Sequence, residues 1–336
     1  MWACWDKCLL IAEWLARQVY WSSPWLRFWV RRRRARAHPL VQVARRDELK
    51  RYLRDIGVTE GALVMVHTSV SRLHLIDESQ QPEQERGAPN FLTTASHLVD
   101  DLLELVGETG TLVMPSHAHY QAENEYTWPD DSASPTRYDP GATSCGVGLA
   151  NELFWRRKGV QRSLHPYNTL AAHGPLAAEL FRDNLNHFKP LPHGIYSGYY
   201  RFCQHDGLVV SIGVPLSQCL TLLHVGEDVR DAEWPIEGFY GERKYIVCIG
   251  GRDETSVVRQ MRPEYDMFCL CLRKVRRDLI GAGILHEGRV ASVRVDWAHS
   301  REVFEYLMSR NKSSTYPYYG AWLVQRKRCQ TRKTRI

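Results

Sequence analysis

Three side chains able to hold or move charge, Arg162, Ser163 and His165, fall within four residues, and Pro166 stops the backbone directly behind them. Proline fixes its own φ and pushes the preceding residue into an extended conformation, which predicts an extended segment or turn at His165. Leu170-Ala171-Ala172, closed by Gly174, reads as a short buried strand behind it. An imidazole held in that way suits a base working near neutral pH. Turns also recruit such residues merely to cap and tie themselves. A second constellation is Thr221, His224 and Glu227. On a helix His224 and Glu227 share a face three residues apart, where a carboxylate fixes the tautomer of a ring, and a capped, partly buried helix is the alternative. A third is His67-Thr68-Ser69-Val70-Ser71. Its hydroxyls and free backbone N–H groups suit a phosphate or diphosphate at a helix start, or simple capping of that helix. His117 and His119 alternate as zinc ligands can, but no third convincing ligand stands beside them. No metal is expected, and they read as pocket or rim residues.

These groups need elements to carry them. Asp47 to Ile56 has helical spacing and stops at Gly57. Ala62 to Val66 is an apolar run of strand length that delivers His67 to its carboxyl end. Thr93 to Val106 is predicted as a helix, and Gly110 to Pro115 as the strand that presents Ser116 and His117. Tyr120 to Tyr138 is polar, aromatic and irregular. Tyr120 and Glu123 in it offer an aromatic face and a carboxylate to a cationic sugar, although a solvated loop has the same composition. Gly207 to Val214, Lys244 to Ile249 and Arg289 to Val295 read as strands, and Ser300 to Met308 as the last helix. Gly146-Val147-Gly148 lacks a third glycine and a preceding strand, which excludes a dinucleotide fingerprint.

The chain has 336 residues, 44% hydrophobic and 24% charged, enough for a large α/β core. Nine cysteines without C-x-x-C spacing argue against a zinc ribbon or a disulfide framework, and with no secretory signal a reducing cytoplasm is expected. The formal charge of +6 is concentrated in Arg31-Arg32-Arg33-Arg34-Ala35-Arg36 and in the tail 326–336. No nucleic-acid module lies between these runs, so nucleic acid is not an expected partner. Residues 1–44 hold six of the eleven tryptophans and form a predicted helical extension. Ser23-Pro24 is its clearest helix start, with Trp25 and Trp29 on one face. Aromatic rings beside a basic run suit a peripheral membrane contact, or a hairpin packed on the body or on a second subunit.

The run from Gly148 to Pro166 resembles the aminoglycoside 3-N-acetyltransferase family, whose pattern there is G-x-x-x-E-x-F-R-x-x-P-G-x-x-R-S-x-H-P. Glu152, Phe154, Gly159, Arg162, Ser163, His165 and Pro166 match in register, whereas Trp155 and Lys158 stand where that family has arginine and proline. The resemblance continues through Gly110-Thr111-Leu112-Val113-Met114-Pro115, Tyr138-Asp139-Pro140 and Thr221-Leu222-Leu223-His224-Val225-Gly226-Glu227, over roughly residues 47 to 310. It departs at Ser144 and Gly198. With the elements above it implies a three-layer α/β/α fold with a central mixed sheet, spanning 45–325 after the 1–44 extension. It implies acetyl-CoA as cosubstrate, held by His67, Thr68, Ser69, Ser71, Arg162 and Ser163. The implied acceptor is an amino sugar or aminoglycoside, bound by His117, Tyr120, Glu123, Asp139 and Thr221. His165 becomes the expected general base for direct transfer, with Asp139, Glu152, His224 and Glu227 orienting it or binding the amine. The alternatives are an acyl-CoA-binding or scaffold protein that has lost turnover, and a metal-dependent hydrolase built on His117 and His119.

Overall fold

A strand buried on both faces needs helices on both sides, and the apolar runs of this chain build such a sheet. The computed structural model describes residues 8, 11–12, 15–16, 19–20, 22–36, 41–76, 90–120, 135–185, 188–234, 236, 238–262, 265, 271–311 and 318. The first half contains α1 (Pro24–Arg36), β1 (Gln42–Arg45), α2 (Arg46–Asp55), β2 (Leu63–Thr68), β3 (Leu73–Ile76), α3 (Phe91–Val106), β4 (Thr111–Pro115), β5 (Thr136–Tyr138) and α4 (Leu149–Trp155). There follow β6 (Gln161–Arg162), β7 (Leu170–His173), α5 (Ala177–Phe181), α6 (Gly198–Gln204), β8 (Leu208–Ile212) and α7 (Val225–Asp228). The chain closes with β9 (Tyr240–Ile249), β10 (Arg252–Met261), α8 (Leu272–Gly281), β11 (His286–Val290), β12 (Val293–His299) and α9 (Ser300–Asn311).

The central sheet has the order β11-β12-β8-β2-β4-β7-β6. β8, β2 and β4 are parallel, and the outer neighbours pair antiparallel. The period of two divides its side chains between two cores. Val64, Val66, Leu112, Met114 and Val210 pack with Leu49 and Leu53 of α2 and Leu98 and Leu102 of α3. Met65, Val113, Val209 and Ala172 pack on the other side with Phe181, Phe202, Val275, Val303 and Leu307. This is the expected three-layer α/β/α arrangement. Asn90 caps α3, which begins at Phe91, two residues before its predicted start, and accepts the N–H groups of Leu92 and Thr93 at 3.1 Å each.

Two features differ from expectation. Arg289 to Val295 is not one strand: Val290 and Val293 pair across a tight turn at Ala291, whose φ is +49°, so that β11 and β12 form a hairpin. The reversal is silent in the sequence because apolar residues continue on both sides of it. β9 and β10 leave the main sheet and pair with β5 as a second sheet of order β10-β9-β5, joined at Gly250 and Gly251 with φ of +57° and +81°. Left-handed dihedrals at both positions suit a two-residue hairpin loop. At the amino-terminal end, Ser23 Oγ accepts the N–H of Leu26 at 3.2 Å as the predicted cap of α1. Trp25 is 72% exposed and Phe28 is exposed with it. The tail 326–336 and the Asp77–Pro89 segment lie outside the described residues.

Candidate active site

Because β8, β2 and β4 are parallel, their carboxyl ends open on one edge of the sheet, the place where ligand crevices form in such folds. A cavity of about 350 Å³ lies there. His67, Thr68 and Ser69 follow from β2, Pro115 and His117 from β4, and Ser217 to Leu220, Thr221 and His224 from the segment after β8. Asn151 of α4, Tyr167, Asn168 and Met261 complete the described wall that matters here.

Two imidazole–carboxylate pairs meet at α7: both carboxylates are on α7, His224 is on the 3₁₀ turn before it, and His193 comes from the turn after Pro192. His224 Nδ1–H donates to Glu227 Oε2 at 3.0 Å, and Glu227 is 1% exposed. Next to it His193 Nδ1–H donates to Asp228 Oδ2 at 3.0 Å, and the His193 backbone N–H donates to the same oxygen at 3.2 Å. Asn168 Nδ2–H donates to His193 Nε2 at 3.0 Å. The rings of His193 and His224 are 5.1 Å apart, tilted by 37°. Burial pushes His193 well below its ordinary value, helped by the neighbouring His224 and His165. Asp228 is pushed up to about 6 by burial, opposed by His224 and by the His193 backbone bond. His67 and His117 fall to about 3, both through burial first, with His117 acting on His67 and His193, Arg162 and His224 acting on His117. Three neutral imidazoles, His67, His117 and His193, therefore line or back one crevice.

The structure divides the predicted residues sharply. His67, Thr68, Ser69, His117, Thr221 and His224 line the cavity, with Glu227 behind His224. Ser71 is exposed, 3.5 Å through its hydroxyl from Ser69 Oγ, outside the named wall. His165 is only 3% exposed and lines a separate void of about 10 Å³, room for a single water. Its Nε2 lies 3.3 Å from the Pro190 carbonyl, and its Nδ1 lies 2.9 Å from the Tyr167 carbonyl and 3.2 Å from the Tyr167 N–H. Burial lowers its basicity against those carbonyl bonds. The ring faces main chain and not the crevice, which corrects its expected place. Ser163 belongs to the same void, where its Oγ accepts from Asn184 Nδ2 at 2.7 Å and from the His165 N–H at 3.2 Å.

Arg162 and Glu152 of the matched run, and Asp139 and Tyr120 before it, also make structural bonds. Arg162 donates to the carbonyls of Thr143 and Ser116 and lies over the Trp155 ring at 4.6 Å, a clamp between loops and not a phosphate ligand. Glu152 accepts from the Cys145 N–H and Trp155 Nε1–H at 2.7 Å each and from Arg156 Nε at 2.6 Å. Burial alone would raise its pKa, but those donors win and lower it. Asp139 ties its own turn, accepting the Gly141 N–H at 2.9 Å, with Arg137 at 3.5 Å. Tyr120 donates to the Pro166 carbonyl at 2.6 Å and packs on Tyr138 and Tyr245. None of these four stands on the cavity wall. Glu123 lies outside the described residues.

Sequence reasoning passed over His193, Asp228, Asn168 and Asn151. Only weak local signals existed: a histidine between Pro192 and Gly194, and an aspartate next to Glu227. Asn168 adopts φ +50°, the left-handed region that asparagine tolerates best among residues with a side chain.

Residues 65–311 match the family model described as aminoglycoside 3-N-acetyltransferase. The chain is 28% identical over 267 residues to aminoglycoside N(3)-acetyltransferase IX of Micromonospora chalcea, covering 74% of this chain and 86% of that protein. Against aminoglycoside N(3)-acetyltransferase VII of Streptomyces paromomycinus it is 28% identical over 284 residues, covering 78% and 89%. Among solved structures, AAC-IIIb binary with CoASH is similar with a TM-score of 0.60 at 19% identity, covering 80% of this chain and 96% of that one. AAC-VIa bound to sisomicin gives 0.58 at 24% identity, covering 79% and 96%. At such identities the two structures speak to the fold alone.

Proposed function

This chain belongs to the aminoglycoside 3-N-acetyltransferase family, and from that membership we propose that it transfers the acetyl group of acetyl-CoA to an amine of an aminoglycoside or related amino sugar. The observation that carries the reading is the His224–Glu227 pair on the wall of the crevice. An ammonium has no lone pair, so amide formation from a thioester needs a group to take a proton. With Nδ1–H committed to the Glu227 carboxylate, Nε2 of His224 is the nitrogen that receives it, and the buried carboxylate stabilises the imidazolium that forms. The amine nitrogen bonds to the acetyl carbon, the carbon–sulfur bond breaks, and the proton held by His224 passes to the departing thiolate. The base assigned here is thus His224 in place of His165.

Thr68 and Ser69 at the end of β2 supply hydroxyls for the coenzyme arm, and Thr68 Oγ1 is buried with no protein partner. A covalent acetyl-enzyme through Cys219 is disfavoured, since burial, aided by Asp296, pushes that thiol up to about 12. The departures at Trp155 and Ser144 fall off the crevice wall, which favours turnover over a binding-only role. Trp155 binds Glu152, and the Ser144 carbonyl accepts the His119 N–H. No helix among the described residues is long and apolar enough to cross a membrane. A surface contact remains open to α1, where exposed Trp25 and Phe28 precede an arginine run and suit an anionic lipid surface. The test is thiol release from acetyl-CoA across aminoglycosides, amino sugars and nucleotide-linked amino sugars. Release with at least one acceptor, abolished in His224→Ala, is the expected result, and a flat response to all of them overturns the reading.

A further inference from the structure

His193 lies one layer behind the crevice and touches three of its parts. Its Nε2 accepts from Asn168, its ring lies 5.1 Å from that of His224, and it packs 5.0 Å from Tyr199, whose hydroxyl is 3.3 Å from His117 Nε2. Both ring nitrogens are occupied, Nδ1–H by Asp228 and Nε2 by Asn168, so this imidazole is not placed to take a proton from a ligand. His193 is 3% and Asp228 4% exposed. A buried polar pair of this kind is costly unless fully bonded, and nothing in the proposed chemistry uses it directly.

We propose that His193 and Asp228 are positioning residues for the acetyl transfer: a second imidazole–carboxylate pair that fixes the ring of His224 from behind and holds Asn168 at the crevice wall. This rests on the reading of His224 as the base. The electrostatic consequence is directional. When His224 takes the amine proton, a positive charge appears beside a neutral His193, with the Asp228 carboxylate just beyond it. That carboxylate attracts the charge, so Asp228 makes His224 a stronger base than Glu227 alone would. The groups facing this unit are Glu227 and His224 from α7 and its preceding turn, His165 from the Pro166 loop, His117 from the end of β4, and Tyr240 and Asp231 beside Asp228. Asp231 opposes ionisation of Asp228 through its like charge, and Asp228 is the second anion near His224, beyond the His193 ring, after the directly bonded Glu227.

The test is the pH profile of thiol release in Asp228→Asn, with kcat and KM separated. The expected result is kcat down by about ten- to a hundredfold, KM for both substrates within about threefold, and the acid limb moved down by about one pH unit. His193→Leu should lose activity, and His193→Gln, which keeps a donor for Asp228 and an acceptor for Asn168, should recover most of it. An unmoved acid limb in Asp228→Asn with native circular dichroism means a purely structural role and overturns the proposal. If wild type releases no thiol with any acceptor, the functional reading fails. The positioning claim is then decided by NMR titration of the His224 ring, assigned with His224→Gln. A downward shift in Asp228→Asn supports it, and an unchanged titration refutes it.

Discussion

His165 Nε2 meets the carbonyl of Pro190, and through that contact the loop carrying Asn168 is braced against the turn that delivers His193. The histidine of the R-S-x-H-P run thus serves the site by architecture, two residues before Tyr167 reaches the crevice wall. Replacing it with alanine removes a buried ring and leaves main-chain groups unpaired, costing about 2–4 kcal/mol of stability. Activity per folded molecule should fall by less than about tenfold, well short of the ~10²–10⁴ that loss of a base costs. Urea denaturation and thiol release on the same preparation check both figures.

His224→Ala should lower kcat/KM by about 10²–10⁴ while coenzyme A still binds, since its loss removes proton acceptance and not the β2 hydroxyls. Glu227→Gln keeps the hydrogen-bonded geometry but not the charge, and a smaller loss of about tenfold to a hundredfold is expected. Calorimetric binding of coenzyme A beside steady-state kinetics separates the two effects.

Stability should fall steeply on mild acidification. His67 and His117 titrate near 3 in the folded chain against 6.5 ordinarily, so below about pH 6.5 the unfolded state binds protons that the folded state refuses. His193 and His165 are displaced in the same direction. Well below the unfolded value each such ring contributes a loss of about 1.4 kcal/mol per pH unit until its folded value is reached. Asp228, raised to about 6, acts oppositely between roughly pH 4 and 6, because there the folded state holds the extra proton. Denaturation free energies at pH 7.5, 6.5 and 5.5 should show the net loss, and His117→Gln should flatten the slope by one histidine's share.

Gly174 ends β7 with φ +122°, and a Cβ there would stand 2.1 Å from the Gly110 carbonyl oxygen and 2.8 Å from the Thr111 Cα. Both obstacles are backbone at the start of β4, so the sheet itself would have to part. Gly174→Ala should cost about 3 kcal/mol or more, read as a lowered thermal midpoint.

Mass spectrometry after mixing with acetyl-CoA alone should find no acetylated Cys219. Its thiol, pushed up to about 12, is protonated at neutral pH and lies 3.6 Å from the Pro215 and Leu216 carbonyls.

What the sequence reveals here follows from locality. Apolar runs such as Leu63 to Val66 and Leu208 to Ile212 announce buried strands because pattern and burial are the same fact. His224 and Glu227 are legible as a pair since three residues of turn bring them together. His193 and Asp228 are separated by 35 positions, and no local rule joins them before the chain has folded. Glu152, Arg162 and His165 illustrate the opposite failure. Their side chains satisfy neighbouring backbone groups, an arrangement that has the same letters as a reacting cluster. Burial and the direction of the ring decide between the two, and neither is written in spacing.

One turn of helix carries both acidic anchors, Glu227 and Asp228, on adjacent residues. Inserting or deleting one amino acid upstream of them in that turn would rotate both by about 100° and unseat both histidines at once. Drift in this segment must therefore proceed by exchange of side chains at constant length, with neither anchor free to migrate without the other.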